Sequence, residues 1–218
     1  MGNRWKAVIF DLDGVIVDTA KYHYLAWKRL AGQLEIPFTE KDNERLKGVS
    51  RMASLEILLS LGRMELDQEE KLRLASRKNT WYVEMVDQMT KEELLPGAEA
   101  LLKQLKEDGV KVALGSASKN AERILNRLEI GHYFDARIDG TKVSKAKPDP
   151  EVFLLAAKSV GVDPKACLVI EDAPAGVVAA KRAGMHVVGI GKRENLPEAD
   201  WILESLDEIQ AEILYDGN

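Results

Sequence analysis

One cysteine and three histidines are found in 218 residues. An internal disulfide is therefore excluded, and a Cys/His zinc centre lacks its ligands. A chain without disulfides suits a reducing compartment, so a cytoplasmic location is expected. Cys167 stands in the apolar run Ala166-Cys167-Leu168-Val169-Ile170 and reads as a small core residue, not a reactive thiol. No apolar run approaches the roughly 20 residues that span a bilayer, and the opening MGNRWK has no leader-like apolar stretch. An excess of basic charge is missing too. The net charge is −5 with acids and bases interspersed, which excludes a basic surface for nucleic acid. Internal repeats and low-complexity segments are also absent. What remains is ordinary globular composition, in enough chain for one large domain or two small ones.

Short β-branched runs at Lys6–Phe10, Val110–Leu114, Ala136–Ile138, Leu168–Ile170 and Val187–Ile190 read as strands buried on both faces. Helical patterns separate them. Ala98, Leu101, Leu102 and Leu105 follow helical spacing up to Gly109; further patterns include Ile124, Leu125 and Leu128, then Val152 to Val160, then Val177 to Ala183. This alternation predicts an α/β fold with a Rossmann-like doubly wound parallel sheet. Between about Thr19 and Glu93 no strand is evident. Helical stripes are expected there on Ala20, His23, Trp27, Leu30 and Leu34, on Leu55, Leu58 and Leu59, on Leu72 and Ala75, and on Tyr82, Met85, Val86 and Met89. Residues 1–17 and 94–218 are thus expected to form the α/β core, and 18–93 an inserted all-helical cap. The stretch Leu94-Leu95-Pro96-Gly97 marks the return to the core.

The first strand ends in Asp11-Leu12-Asp13-Gly14. Two carboxylates two positions apart at the edge of an apolar core need a partner. Ligands in open parallel sheets gather beyond the carboxyl ends of the strands. The later strands are followed by Gly115-Ser116-Ala117-Ser118-Lys119-Asn120, by Lys145-Ala146-Lys147-Pro148-Asp149-Pro150 and by Glu171-Asp172. Oxygen donors without histidine or thiolate suit a hard cation, and Mg²⁺ is the usual one beside phosphate. Ser116 and the N–H groups of a helix beginning near Lys119 suit a phosphate oxygen. These parts describe phosphoryl transfer with a carboxylate nucleophile.

The order DLDGVIVDT, GSAS, KPDP, ED, each following an expected strand, resembles the haloacid dehalogenase superfamily of aspartate-based phosphotransferases. The resemblance covers the whole chain and implies a role for each matching residue. Asp11 is the expected nucleophile and Asp13 the general acid/base. One Mg²⁺ per chain is expected on Asp11, the Asp13 carbonyl, Asp172 and Glu171, the last directly or through water. Ser116 and Lys147 are expected to hold the transferring phosphate, with Lys147 also balancing Asp11.

Within the superfamily, DTAKYHYLAWK, ERLKGVSRMASLE, RKNTWYVEM and GSASKNA are similar to the β-phosphoglucomutases. That similarity implies Thr19 in the hinge and His23 at the general acid/base or the substrate. It implies a recognition loop of Lys47, Gly48, Val49, Ser50 and Arg51, with the arginine on the phosphate that is not transferred. Lys78 is implied near the sugar hydroxyls, and Ala117, Ser118, Lys119 and Asn120 on the substrate from the core side. Small sugar phosphates are the implied partners, glucose 1,6-bisphosphate the implied activator and intermediate, and a monomer the expected state. A mutase needs a second phosphate site, which an arginine fork suits, and must keep water from the aspartyl phosphate, which a closing cap does. Two alternatives stay open: a sugar-phosphate phosphatase of the same fold, and a non-catalytic phospho-acceptor. Plainer roles stand beside the functional ones. His23 also fits a core histidine, Lys47 and Arg51 solvated charges, Thr19 a helix cap, Asp18 a cap, and the aromatics Tyr22, Tyr24, Trp27, Trp81 and Tyr82 the cap interior. Asp149 and Glu122 read as surface or capping charges.

Overall fold

A computed structural model describes residues 3–46 and 49–215. Lys47 and Gly48 lie outside the described residues. The elements in chain order are β1 (Ala7–Phe10), α1 (Ala20–Gln33), α2 (Glu40–Glu44), α3 (Arg51–Leu61), α4 (Gln68–Val86), α5 (Ala98–Glu107), β2 (Lys111–Gly115), α6 (Ala121–Arg127), β3 (Ala136–Ile138), α7 (Glu151–Val160), β4 (Cys167–Glu171), α8 (Pro174–Arg182), β5 (His186–Ile190), β6 (Trp201–Leu203) and α9 (Ala211–Leu214). By mutual contact the chain divides into two compact units, Met1–Asp18 with Thr90–Asn218, and Thr19–Met89.

The first unit is built on one six-stranded sheet in the order β3-β2-β1-β4-β5-β6. Every pairing is parallel. The central strands β1 and β4 are apolar and buried along their whole length, because crossover helices cover both faces of such a sheet. On one side Ile9, Ala113, Val169 and Val187 pack with Phe153 and Ala156 of α7 and Ala179 and Ala180 of α8. Small residues on α8 let the helix lie close to the strands. Cys167 is fully buried, and burial pushes its thiol up to about 12, so the core role expected of it holds. The sequence reverses direction across the sheet between β1 and β4, since β2 and β3 lie to one side of β1 and β4 to β6 to the other. At such a switch point the loops at the strand ends part and leave a crevice.

The second unit is all-helical. Trp27, Leu30 and Ala31 of α1 meet Leu55, Leu58 and Leu59 of α3 and Leu74 and Ala75 of α4. Helices α2, α3 and α4 start with side-chain caps: the Ser50 hydroxyl accepts from the N–H of Ala53, Asp67 from that of Glu70, and Thr39 and Asp42 form a reciprocal capping box. No helix among the described residues is long and apolar enough to cross a membrane.

Several expectations need correction. The third stripe and Tyr82, Met85 and Val86 of the fourth belong to one 19-residue helix, α4, and Met89 lies beyond its end. Its buried face runs through Leu74, Ala75, Lys78, Tyr82 and Val86, whereas Leu72 is half exposed. The short helix α2 and the edge strand β6 were not expected. Thr19 occupies the N-cap position of α1 and is fully buried, but its side chain makes no capping hydrogen bond. Helix α6 begins at Ala121 rather than near Lys119.

Candidate functional site

Asp11 follows β1 directly, and its N–H donates to the carbonyl of Ile170 at 2.9 Å. The parallel register pairs Phe10 with Ile170, so the residues after β1 and the last of β4 emerge side by side. One oxygen each of Asp11, Glu171 and Asp172 lies within 4.8 Å of the others. Asp11 and Glu171 are buried. Two glycines make room for this cluster. A Cβ on Gly14 would overlap the Asp172 carboxylate, and one on Gly176, in the first turn of α8, would overlap that of Glu171.

Lys147 is the cation of the group. Its ammonium donates to Asp11 Oδ1 at 2.5 Å and to Glu171 Oε2 at 2.7 Å, and the three side chains are at most 9% exposed. The other Glu171 oxygen accepts from the N–H groups of Asp172 (3.1 Å) and Ala173 (3.0 Å). Both Glu171 oxygens are therefore bonded within the protein. Lys147 is driven further toward its charged form by Asp11 and Glu171, against the effect of burial. One ammonium does not balance the acids. Burial first, and then Glu171, push the Asp11 carboxyl up to about 7, with Lys147 opposing. Burial, Glu171, Asp11 and Asp13 push Asp172 up to about 9. Buried like charges of this kind are relieved by a further cation, and an all-oxygen donor set fits a hard divalent ion. The residues present fit Mg²⁺ on Asp11 and Asp172, with Glu171 already committed to Lys147 and the backbone.

The other motifs sit at neighbouring strand ends. Register places Asp11 opposite Gly115, so Ser116 lies one residue beyond that position. Ser116 is fully buried; its N–H donates to Ile138, and its hydroxyl accepts from the N–H of Ser118 at 3.1 Å. Ser118 in turn accepts from the N–H of Asn120 at 3.2 Å. Ala117 and Lys119 are exposed in this loop. Asp13 is partly buried in the tight turn after β1, where Gly14 donates to the Val17 carbonyl.

The loop before α7 carries Lys147, and residues not singled out from the sequence organise it. The Glu151 carboxylate accepts from the N–H of Ser144 (3.1 Å), the Ser144 hydroxyl (3.0 Å) and the N–H of Lys145 (2.7 Å). Asp149 accepts from the N–H of Glu151 at 3.1 Å, a cap as expected. Arg182, at the end of α8, donates to the carbonyl of Pro148 at 3.1 Å. The Lys147 ammonium lies 4.7 Å from the centre of the Phe153 ring. The available sequence signal is a hydroxyl before the lysine motif and an acid at the helix start, Ser144 and Glu151, seven positions apart.

The helical unit gathers a second polar group. Lys78, on the buried stripe of α4, has its ammonium 2.7 Å from His23 Nδ1 and lies over the rings of Trp27 and Tyr82. An ammonium only donates, so Nδ1 accepts and the ring proton sits on Nε2. Burial first, then Lys78 and Arg51, hold His23 well below its ordinary pKa. His23 also stacks on Tyr82, with ring centres 4.1 Å apart. Ser50 caps α3, Arg51 is the first residue of that helix and Val49 is exposed beside them. No acid stands in the first turn of α3, and burial lowers the Arg51 pKa. Trp81 lies at the edge of the unit's apolar cluster, with Arg29 over its ring.

This chain is similar to known proteins along nearly its whole length. It is 48% identical over 213 residues to the β-phosphoglucomutase of Bacillus subtilis (strain 168), covering 97% of this chain and 94% of that protein. It is 34% identical over 203 residues to a phosphorylated carbohydrates phosphatase of Thermotoga maritima, covering 92% and 91%. The crystal structure of a β-phosphoglucomutase from Clostridium difficile is similar at 45% identity with a TM-score of 0.90, covering 96% and 95% of the two chains. The family model described as haloacid dehalogenase-like hydrolase matches residues 5–184. That match begins just before β1 and ends beyond α8, so it takes in every strand end that contributes to the carboxylate cluster and the helical insert between the first two, and the chain belongs to the haloacid dehalogenase-like hydrolase family.

Proposed function

We propose that the protein is a β-phosphoglucomutase, an isomerase that interconverts β-D-glucose 1-phosphate and glucose 6-phosphate through an aspartyl phosphate and β-glucose 1,6-bisphosphate. The carrying observation is 48% identity, across nearly the whole of both chains, to a β-phosphoglucomutase. The identity spans the helical insert, where substrate choice would be made. A monomeric, cytoplasmic enzyme acting on small sugar phosphates, with glucose 1,6-bisphosphate as activator, is the corresponding biological reading.

The chemistry follows from the chain's own residues. An Asp11 oxygen attacks the phosphorus of a sugar phosphate while the bond from phosphorus to the sugar oxygen breaks. Asp13 gives its proton to the departing sugar oxygen. In the other direction Asp13 takes the proton of the accepting hydroxyl as that oxygen attacks the aspartyl phosphate, and Asp11 is released. Transfer to the 6-hydroxyl followed by return from the 1-position turns glucose 1-phosphate into glucose 6-phosphate, with the bisphosphate between. Bound Mg²⁺ would supply positive charge to the transferring group and to the carboxylates. Lys147 and Ser116 would hold the phosphoryl oxygens, and Lys147 keeps Asp11 from standing against its acidic neighbours alone. Arg51, supported by Lys47, Gly48, Val49 and Ser50, would hold the phosphate that is not being transferred; a half-buried guanidinium at a helix start without acids suits an anion. His23 and Lys78 would present a fixed pair of donors to the sugar or to Asp13. Ala117, Ser118, Lys119 and Asn120 would contact the substrate from the α/β unit, and Thr19 would lie at the hinge.

The phosphatase reading is favoured by one observation, the 34% identity to a phosphorylated carbohydrates phosphatase over almost the same span. One assay separates the two. The protein is mixed with Mg²⁺, β-glucose 1-phosphate and a trace of glucose 1,6-bisphosphate, and glucose 6-phosphate and free phosphate are followed together. Fast glucose 6-phosphate with little free phosphate is expected. Free phosphate without glucose 6-phosphate would replace the mutase by the phosphatase.

A further inference from the structure

Lys147 has a demanding position. Its ammonium reaches two carboxylates from different strands with a side chain 7% exposed. Yet it rides on a connection, Asp139 to Pro150, that holds no helix or strand. A four-carbon side chain on an unsupported loop would lose that aim. The supports come from helices behind the loop. Arg182 of α8 holds the Pro148 carbonyl, and the Phe153 ring of α7 lies by the ammonium. On the other flank the backbone N–H groups of Ser144 and Lys145 donate to the two oxygens of Glu151.

We propose that Glu151 is a positioning residue for phosphoryl transfer: by fixing the backbone of Ser144 and Lys145 it sets the path of the loop and the reach of Lys147 to Asp11 and Glu171. One carboxylate taking three donors ties two consecutive backbone positions to the start of α7, and the bond from Lys145 has the 2.7 Å length of a charge-assisted one. Glu151 is itself the first residue of α7, and the same turn buries Phe153 in the sheet core, which ties the anchor to the fold. The rival role for Glu151 is a plain favourable charge at a helix start, which would affect stability alone.

The inference rests on the reading that Lys147 serves the transferring phosphate, and the test keeps the two apart. Hydrolysis of acetyl phosphate by the full chain with Mg²⁺ needs only phosphorylation and dephosphorylation of Asp11, whichever sugar is the substrate. kcat is measured for the native protein, Glu151→Ala, Glu151→Gln, Lys147→Ala, and each Glu151 variant combined with Lys147→Ala, with melting curves to identify folded variants. Glu151→Ala is expected to lower kcat by about tenfold or more. Glu151→Gln, which keeps one acceptor oxygen, is expected to recover part of that. In the Lys147→Ala background neither is expected to lower kcat further, because the lysine through which they act is gone. Native kcat in both Glu151 variants, or the same fold-loss with and without Lys147, would overturn the proposal. If Glu151→Ala does not fold, the same comparison is read from Glu151→Gln. A native rate in Lys147→Ala itself would instead remove the role assigned to the lysine, and the positioning proposal with it.

Discussion

Gly14 stands where the site is least tolerant of an extra atom. Its φ is +84°, and a Cβ there would overlap the Asp172 carboxylate. Gly109 has a similar φ of +72° with no atom within 4 Å of the same added Cβ. The pair separates backbone strain from steric displacement. Alanine at either position should cost about 1–2 kcal/mol of stability for the left-handed backbone. Only Gly14→Ala should also push Asp172 aside, so the Mg²⁺ concentration needed for half-maximal activity should rise about tenfold or more for that variant and stay native for Gly109→Ala. Equal Mg²⁺ responses in the two would show that the glycine does not set the Asp172 position. The sequence alone gives the glycine a turn, and the DxDG spacing hints at no more. That its missing Cβ is occupied by a carboxylate more than 150 residues away depends on β1 and β4 being neighbours. Glu151 was hidden for a related reason: its acceptor role exists only once the loop before α7 folds back on it.

Elements show where periodicity is readable and where it is not. Strands β1, β2, β4 and β5 begin and end within one residue of their apolar runs, since strands buried on both faces need no alternation to be recognised. β6 has three partly buried residues at the sheet edge, too few for any pattern. In α4 the eye is drawn to Leu72 and Ala75, three apart. The packed face keeps Ala75 but joins it to Leu74 and Lys78, and a lysine on an apolar stripe breaks the pattern that would have revealed it. That lysine joins α4 to α1 through His23. The bond has a pH signature. His23 is held below the ordinary value of 6.5 in the folded protein, by burial and then by Lys78 and Arg51. As pH falls below about 6.5 the unfolded chain takes up the proton first, so folding is progressively weakened. Denaturant midpoints at pH 7.5 and 5.5 should therefore fall further for the native protein than for His23→Asn, whose amide oxygen can still accept from Lys78. Equal decreases would mean that His23 does not titrate against the fold.

At the scale of the molecule, the break in strand–helix alternation after β1 is visible in the sequence, whereas the balance of charge at the site needed coordinates. Asp11, Glu171 and Asp172 converge, and one ammonium bonds the first two. A fold that gathers buried carboxylates in this way gives up stability for a functional site, and recovers it when a cation binds. Two opposite effects of one substitution follow. Asp172→Asn removes a carboxylate that burial and its neighbours disfavour, so without metal the variant should melt higher than the native protein. In a chain of this length about 1 kcal/mol corresponds to roughly 2–4 °C. Saturating Mg²⁺ should raise the native melting temperature and leave that of Asp172→Asn almost unchanged, because the amide is a poorer ligand and the repulsion is already relieved. Calorimetric scans of both proteins, each in chelator and in Mg²⁺, measure all four values. A native protein that melts higher than Asp172→Asn in chelator would show that the acidic cluster is not a burden on the fold. An equal Mg²⁺ response in both would take Asp172 out of the cation site.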